Sequence, residues 1–135
     1  MVEGAILRTT PIVSIVDDDE GVRFSLSNLV QSLGWQTRVY ESAEQFLASA
    51  EAAGTACLIS DIRMSGMSGV ELHEALIAQG NPPPTIFISA YPTPSVQVKI
   101  ADNGALALLK KPYSAAVVKH WLSVALGSPE PEFDN

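Results

Sequence analysis

Residues 12–20 read Ile-Val-Ser-Ile-Val-Asp-Asp-Asp-Glu: five residues, mostly β-branched, that stop abruptly in four acids. A half-wet strand would alternate apolar and polar residues, so this unbroken run predicts a strand covered on both faces. The pattern returns at Ala56-Cys57-Leu58-Ile59-Ser60-Asp61, again apolar until a carboxylate. Outward from these runs, short β-branched segments alternate with segments of helical period, which predicts βα units on a parallel sheet.

Five such units are expected. Val22, Leu26, Leu29, Val30 and Leu33 recur at helical spacing and stop at Gly34, a residue suited to the left-handed position past a helix end. Trp35 to Tyr40 predicts the second strand, and Ser42 caps a second helix whose buried stripe is Ala43, Phe46, Leu47 and Ala50. After the third strand, Val70 to Gln79 predicts a helix halted by Asn81-Pro82-Pro83-Pro84, and Thr85 to Ser89 the fourth strand. A fourth helix is expected from about Ser95 to Asn103. Ala105 to Leu109 then forms the fifth strand, and Val117, Val118, Trp121, Leu122 and Ala125 line a fifth helix. The domain is expected to span residues 11–126, with a short N-terminal extension at 1–10 and a loose acidic tail at 127–135.

The chain has 135 residues, 47% hydrophobic and 17% charged, enough apolar material for one core and too little charge for disorder. A net charge of −7 argues against direct binding to a nucleic-acid backbone. The single cysteine, Cys57, excludes an internal disulfide or a paired-thiol metal site and fits a reducing compartment such as the cytoplasm. Acids and Arg8 interrupt the apolar residues of the N-terminus, so neither a secretion signal nor a spanning helix is expected there.

In a parallel α/β sheet the ligand site lies beyond the carboxyl ends of the strands. Asp17 and Asp18 follow the first strand, Asp61 ends the third, Ser89 ends the fourth, and Lys111 follows the fifth. Topology rather than local sequence brings them to one edge. Three close carboxylates repel one another unless a divalent cation sits between them, and oxygen-only donors favour Mg²⁺ or Mn²⁺ over zinc. A carboxylate nucleophile, a hard cation, an ammonium and a hydroxyl make a site for a phosphoryl group, with Asp61 as the expected nucleophile.

These residues resemble the response-regulator receiver domains of two-component signalling. The resemblance rests on Asp17-Asp18, Asp61, Ser89 and Lys111-Pro112, and IVDDDEGVR, SAEQFL, SDIRMSGMSGVEL and LLKKPY look most like FixJ-type receivers. It implies a flavodoxin-like (βα)5 doubly wound parallel sheet of strand order 2-1-3-4-5. It further implies that Asp18, Asp61 and the backbone carbonyl of Arg63 bind Mg²⁺, with Asp17 acting through water. Asp61 would take phosphate from a sensor histidine kinase, Lys111 and Ser89 would grip the phosphoryl oxygens, and the fourth helix and fifth strand would rearrange, offering a possible homodimer face. Val22, Ser25 and Leu26 are kinase contacts by that analogy alone.

Three positions depart from the family pattern. Leu108 stands where the family carries an aromatic conformational switch on the fifth strand. Ser65 replaces a proline and predicts a looser loop. Pro92 and Pro94 predict a delayed start to the fourth helix. Around the phosphoryl site, Arg63 and Tyr91 are expected to hinder attacking water and lengthen the life of a phosphorylated Asp61. His73 and His120 are expected to face solvent, Cys57 to be a small buried hydrophobe, and Asp19 and Glu20 to favour the start of the first helix.

Two other functions compete. A haloacid-dehalogenase-type phosphohydrolase needs an acid two residues after its nucleophile, where this chain has Arg63. An interaction module that keeps the fold without phosphate is the other. The receiver reading is compatible with a single-domain regulator or the receiver part of a FixJ-like transcription factor.

Overall fold

A computed structural model describes residues 10–128; residues 1–9 and 129–135, most of the expected extension and tail, lie outside the described part. The elements run β1 (Ile12–Val16), α1 (Glu20–Ser32), β2 (Gln36–Tyr40), α2 (Ala43–Ala48), a 3₁₀ turn (Ala50–Gly54), β3 (Thr55–Asp61), α3 (Gly69–Ala78), β4 (Thr85–Ser89), α4 (Pro94–Asp102), β5 (Ala107–Lys110) and α5 (Ala115–Leu126). All five strands are parallel, in the order β2-β1-β3-β4-β5.

Both faces of the sheet are covered. Val13 and Ile15 of β1, Cys57 and Ile59 of β3 and Ile86 and Ile88 of β4 pack with Leu26 and Val30 of α1 and Val118 and Leu122 of α5. Alternate residues face the other way. Val16 and Leu58 meet Phe46 of α2 and Leu72 and Leu76 of α3, and Phe87 meets Val70 and Ile100 of α3 and α4. β4 is buried over all five residues, as expected of a strand with a neighbour on each edge and helices on each face.

The helix starts follow local chemistry. Asp19, Ser42, Ser68, Thr93 and Ser114 are the N-caps of α1 to α5, each accepting a backbone N–H three residues on. At α3 the exchange is reciprocal, with Glu71 returning the bond to the Ser68 amide. Gly34 sits just past α1 at φ 104°, where a side chain would be strained.

Several expectations need correction. α2 is shorter than its apolar spacing suggests: Ser49 adopts extended geometry (φ −83°, ψ 130°) and caps the 3₁₀ turn, so Ala50 is exposed rather than on the buried stripe. The amide of Trp35 is taken by the carbonyl of Val30, so β2 begins at Gln36. β5 is displaced to Ala107–Lys110, because Ala105 and Leu106 donate to Ile100 and Thr85 in the turn before it. The proline pair does not delay α4: Pro94 is its first residue, a position where the missing N–H would have no partner anyway. His73 is buried at 3% exposure, edge-on to Phe87 with ring centroids 5.5 Å apart, since α3 turns that face toward β4.

The start of α3 bears directly on Asp61. Gly69 donates its amide to Ile62 and lies so close to Asp61 that an added Cβ would collide with the Asp61 carbonyl oxygen and sit 2.9 Å from Ser60 Oγ. Replacing Gly69 by Ala is expected to destabilise the fold by about 2–3 kcal/mol, read as a fall in the denaturant midpoint. A variant of unchanged stability would show that this junction has room to spare.

Candidate functional site

The parallel register determines which acids meet. Val16 of β1 pairs with Ser60 of β3, so the residues that follow, Asp17 and Asp61, leave the sheet side by side. One carboxylate oxygen from each of Asp17, Asp18 and Asp61 lies within 4.8 Å of the others. Asp17 is 2% exposed, Asp61 half-buried and Asp18 exposed.

Each carboxylate also accepts from the backbone. Asp17 takes the Asp19 amide at 2.9 Å, Asp61 takes the Ile62 amide at 2.9 Å, and Asp18 takes the Ser65 amide at 2.9 Å. Burial pushes Asp17 up to about 6, with Asp61 and Asp18 adding repulsion while the Asp19 amide and Lys111 pull the other way. Burial likewise raises Asp61 above the usual carboxylate range, opposed chiefly by Lys111. Lys111 is a cation whose charge bears on both Asp17 and Asp61, and its backbone amide is anchored to the Ser89 carbonyl at 2.9 Å. Ser89 ends β4 at 4% exposure, one strand beyond Asp61, in register with Lys110.

The donor set is all oxygen, crowded, and partly withdrawn from water, so the three acids suit a hard divalent cation such as Mg²⁺. The backbone of Arg63 enters the same loop two residues after Asp61.

The family model for the response regulator receiver domain matches residues 13–122. The chain belongs to the response regulator receiver domain family. Among its relatives, the transcriptional regulatory protein TdiR of Thauera aromatica is 38% identical over 101 residues, which is 75% of this chain and 44% of TdiR. The C4-dicarboxylate transport transcriptional regulatory protein DctR of Rhodobacter capsulatus is 37% identical over 118 residues, 86% of this chain and 58% of DctR. The crystal structure of FixJ-N superposes with a TM-score of 0.78 at 32% identity, covering 87% of this chain and 94% of that one. The chain spans about half the length of the curated relatives it matches. The receiver fold and strand order expected from sequence are those observed.

Other residues singled out in this receiver are scattered around the edge. Tyr91 stands 83% exposed in the β4–α4 loop, and Arg63 is exposed in the β3–α3 loop. Leu108 lies half-buried against the Phe87 and Ile100 cluster. Pro112 follows Lys111 through a cis peptide bond. Among the described residues no helix is long and apolar enough to cross a membrane.

Ser65 and Glu44 were not legible as site neighbours. Ser65 bonds Asp18 through its amide, with its hydroxyl 3.4 Å away. Any residue but proline supplies that amide, so only the absence of proline could have signalled the contact. Glu44 reaches the same loop from α2, a contact that crosses 23 residues of sequence.

A buried carboxylate with a raised pKa couples folding to pH. Unfolded Asp17 titrates near its usual value and folded Asp17 near 6, so its favourable contribution is complete below about pH 4 and lost as pH rises through 6. Without divalent cations, wild-type stability is expected to fall across that window by on the order of 2 kcal/mol relative to Asp17→Asn. Millimolar Mg²⁺ at pH 7 should recover the loss in the wild type more than in the variant. Thermal melts across pH would show it, and parallel profiles for the two proteins would remove Asp17 as the source.

Proposed function

We propose that this chain is the phospho-accepting switch of a two-component response regulator, with Asp61 as acceptor and residues 11–126 as the working domain. The observation that carries this reading is the meeting of Asp17, Asp18 and Asp61 at one sheet edge, with the charge of Lys111 bearing on Asp17 and Asp61 and with Ser89 adjoining. Receiver domains of this family interact with sensor histidine kinases, and a kinase phosphohistidine is the proposed donor. A donor of that kind is available in the cytoplasm, which is the proposed location of the chain.

An Asp61 carboxylate oxygen attacks phosphorus, the phosphorus–nitrogen bond to the donor imidazole breaks, and the electron pair returns to that nitrogen, which takes up a proton. Asp18, Asp61 and the Arg63 carbonyl would hold Mg²⁺, with Asp17 acting through water. The ion supplies charge neutralisation for the phosphoryl oxygens. Lys111 neutralises charge from the β5 side, and Ser89 donates its hydroxyl to a phosphoryl oxygen once the β4–α4 loop draws inward.

That movement drags the segment bearing Tyr91 toward Asp61 and shifts α4 against β5, the face proposed for homodimer or partner contact. Leu108 fills the place where the aromatic switch of the family would sit, so the rearrangement passes through backbone and apolar packing. The cis-linked Pro112 follows Lys111 in the β5–α5 turn of that face. Arg63 and Tyr91 flank the site and restrict water, lengthening the life of the acyl phosphate. No catalysis beyond assisting its own phosphorylation and dephosphorylation is ascribed to the chain. TdiR and DctR are named as transcriptional regulatory proteins, so the output served here is transcriptional control, through a further domain or a bound partner.

Incubation with acetyl phosphate and Mg²⁺ is expected to add one phosphoryl group by intact mass, and none to Asp61→Asn. Asp18→Ala should slow labelling by at least about 100-fold. Lys111→Ala and Ser89→Ala should still be labelled while losing the phosphorylation-dependent change in hydrogen exchange at α4. Labelling of Asp61→Asn at the wild-type rate would overturn the assignment of the acceptor, and an unchanged phosphoryl lifetime in Tyr91→Ala would remove Tyr91 from the site.

A further inference from the structure

The β3–α3 loop, residues 62–68, carries the Ser65 amide that bonds Asp18 and the Arg63 carbonyl that the receiver reading assigns to the cation, so its position bears on that reading's ligand set. Two of its amides are held by carboxylates from other elements. The Ser65 amide goes to Asp18 Oδ2 and the Met67 amide to Glu44 Oε2, both at 2.9 Å. The two differ in kind, because Asp18 belongs to the acid cluster and Glu44 does not.

Glu44 is the second residue of α2, and its carboxylate reaches across to the turn Gly66-Met67. The fit at that turn is close. A Cβ on Gly66 would lie 2.7 Å from Glu44 Oε2 and 3.3 Å from Oε1, and Gly66 already sits at φ 78°. Glycine is therefore required there twice over, for backbone geometry and for room. The hydrogen bond from Met67, with one from the amide of Glu44 itself, holds the carboxyl below its ordinary range. Beneath the turn, Met64 and Met67 rest on the cluster of Phe46, Leu58 and Leu72, which seats the loop without orienting its amides.

When a divalent cation claims the Asp18 carboxylate, the Ser65 bond competes with it for the same oxygens. The Glu44 bond does not. We propose that Glu44 is a positioning residue for the divalent-cation site, holding the Gly66-Met67 turn so that the Arg63 carbonyl stays in place while Asp18 is engaged. It touches neither the acids nor any reacting atom. The inference rests on the receiver reading above, with Mg²⁺ as the ion.

The test is Mg²⁺ affinity by calorimetry on the folded chain, with the Met67 amide followed by NMR, and Mg²⁺-dependent labelling by acetyl phosphate as a companion. Glu44→Ala and the nearly isosteric Glu44→Met both remove the acceptor. Each is expected to weaken Mg²⁺ binding about tenfold and to shift the Met67 amide upfield as it loses its partner. Labelling should slow at low Mg²⁺ and approach the wild-type rate at saturation. Glu44→Gln keeps an acceptor oxygen and should recover most of the affinity, which a general loss of α2 packing would not permit.

Wild-type Mg²⁺ affinity in Glu44→Met would overturn the proposal, as would a labelling rate lowered equally at all Mg²⁺ concentrations. If Glu44→Ala fails to fold, Glu44→Met and Glu44→Gln decide the matter between them. Failure of wild-type labelling, or its persistence in Asp61→Asn, would instead break the receiver reading, and the binding isotherms would still report on Glu44.

Discussion

Like charge forced together at a strand end is the constraint around which this molecule is arranged. Asp17 and Asp61 leave adjacent parallel strands at neighbouring register positions, so the sheet order β2-β1-β3-β4-β5 brings them together whatever their electrostatic preference. Asp17 bears most of the cost, being nearly free of solvent and raised to about 6. Lys111 is delivered two strands further on, by β5, and its attraction opposes the rise without cancelling the effect of burial. The edge is therefore a place where added positive charge, or a ligand that brings its own cation, lowers the free energy of the folded chain.

The core makes that arrangement tolerable. Phe46, Phe87, Leu58, Ile59, Leu72, Ile86 and Leu122 are essentially fully buried, and each such side chain contributes about 1.5–3 kcal/mol through removal of apolar surface from water. These residues lie on strand centres and inward helix faces, away from the loops that carry polar chemistry. Around the edge, order comes from a different interaction. Asp17, Asp18, Asp61 and Glu44 each accept a backbone amide, from Asp19, Ser65, Ile62 and Met67 respectively. Charge-assisted bonds of this kind are short and directional. They hold the β3–α3 loop by its backbone, so the side chain of Arg63 is left to face solvent.

The sheet and the five acidic or polar positions at its edge were legible because they depend on short-range regularities. Runs such as Ile12–Val16 and Ala56–Ile59 are apolar without alternation, and the acid that ends each run marks the carboxyl end of a strand. What escaped the sequence depended partly on contacts between distant segments and partly on how a residue serves at a helix end. His73 reads as a polar residue on a helix, yet α3 packs that face on Phe87 of β4. Ala50 fits the apolar spacing of α2, but Ser49 breaks the helix one residue earlier by capping the turn that follows. Pro94 was read as an obstacle when its lack of an N–H suits the first turn of α4. The bond between Glu44 and Met67 joins an ordinary helix-start acid to an ordinary loop amide, and neither residue type announces the other.

Three carboxylates share the edge, and their surroundings separate them as acceptors in the proposed transfer. Asp17 is closed to an incoming donor by its burial. Asp18 is exposed and is likewise held through one oxygen, Oδ2, by the Ser65 amide, so it differs from Asp61 in exposure and in its distance from β5 rather than in anchoring. Asp61 is intermediate in exposure, with Oδ1 held by the Ile62 amide, while Lys111 counts among the influences on its charge. A carboxylate anchored through one oxygen presents the other in a defined direction, which suits in-line attack on phosphorus. The same bond to Ile62 ties the acceptor to the start of the loop that ends at α3, and Ile62 in turn bonds through Gly69 and through Ile88 of β4. Charge added at Asp61 therefore acts on a residue already joined by backbone bonds to α3 and β4, the two elements that precede α4 in the chain.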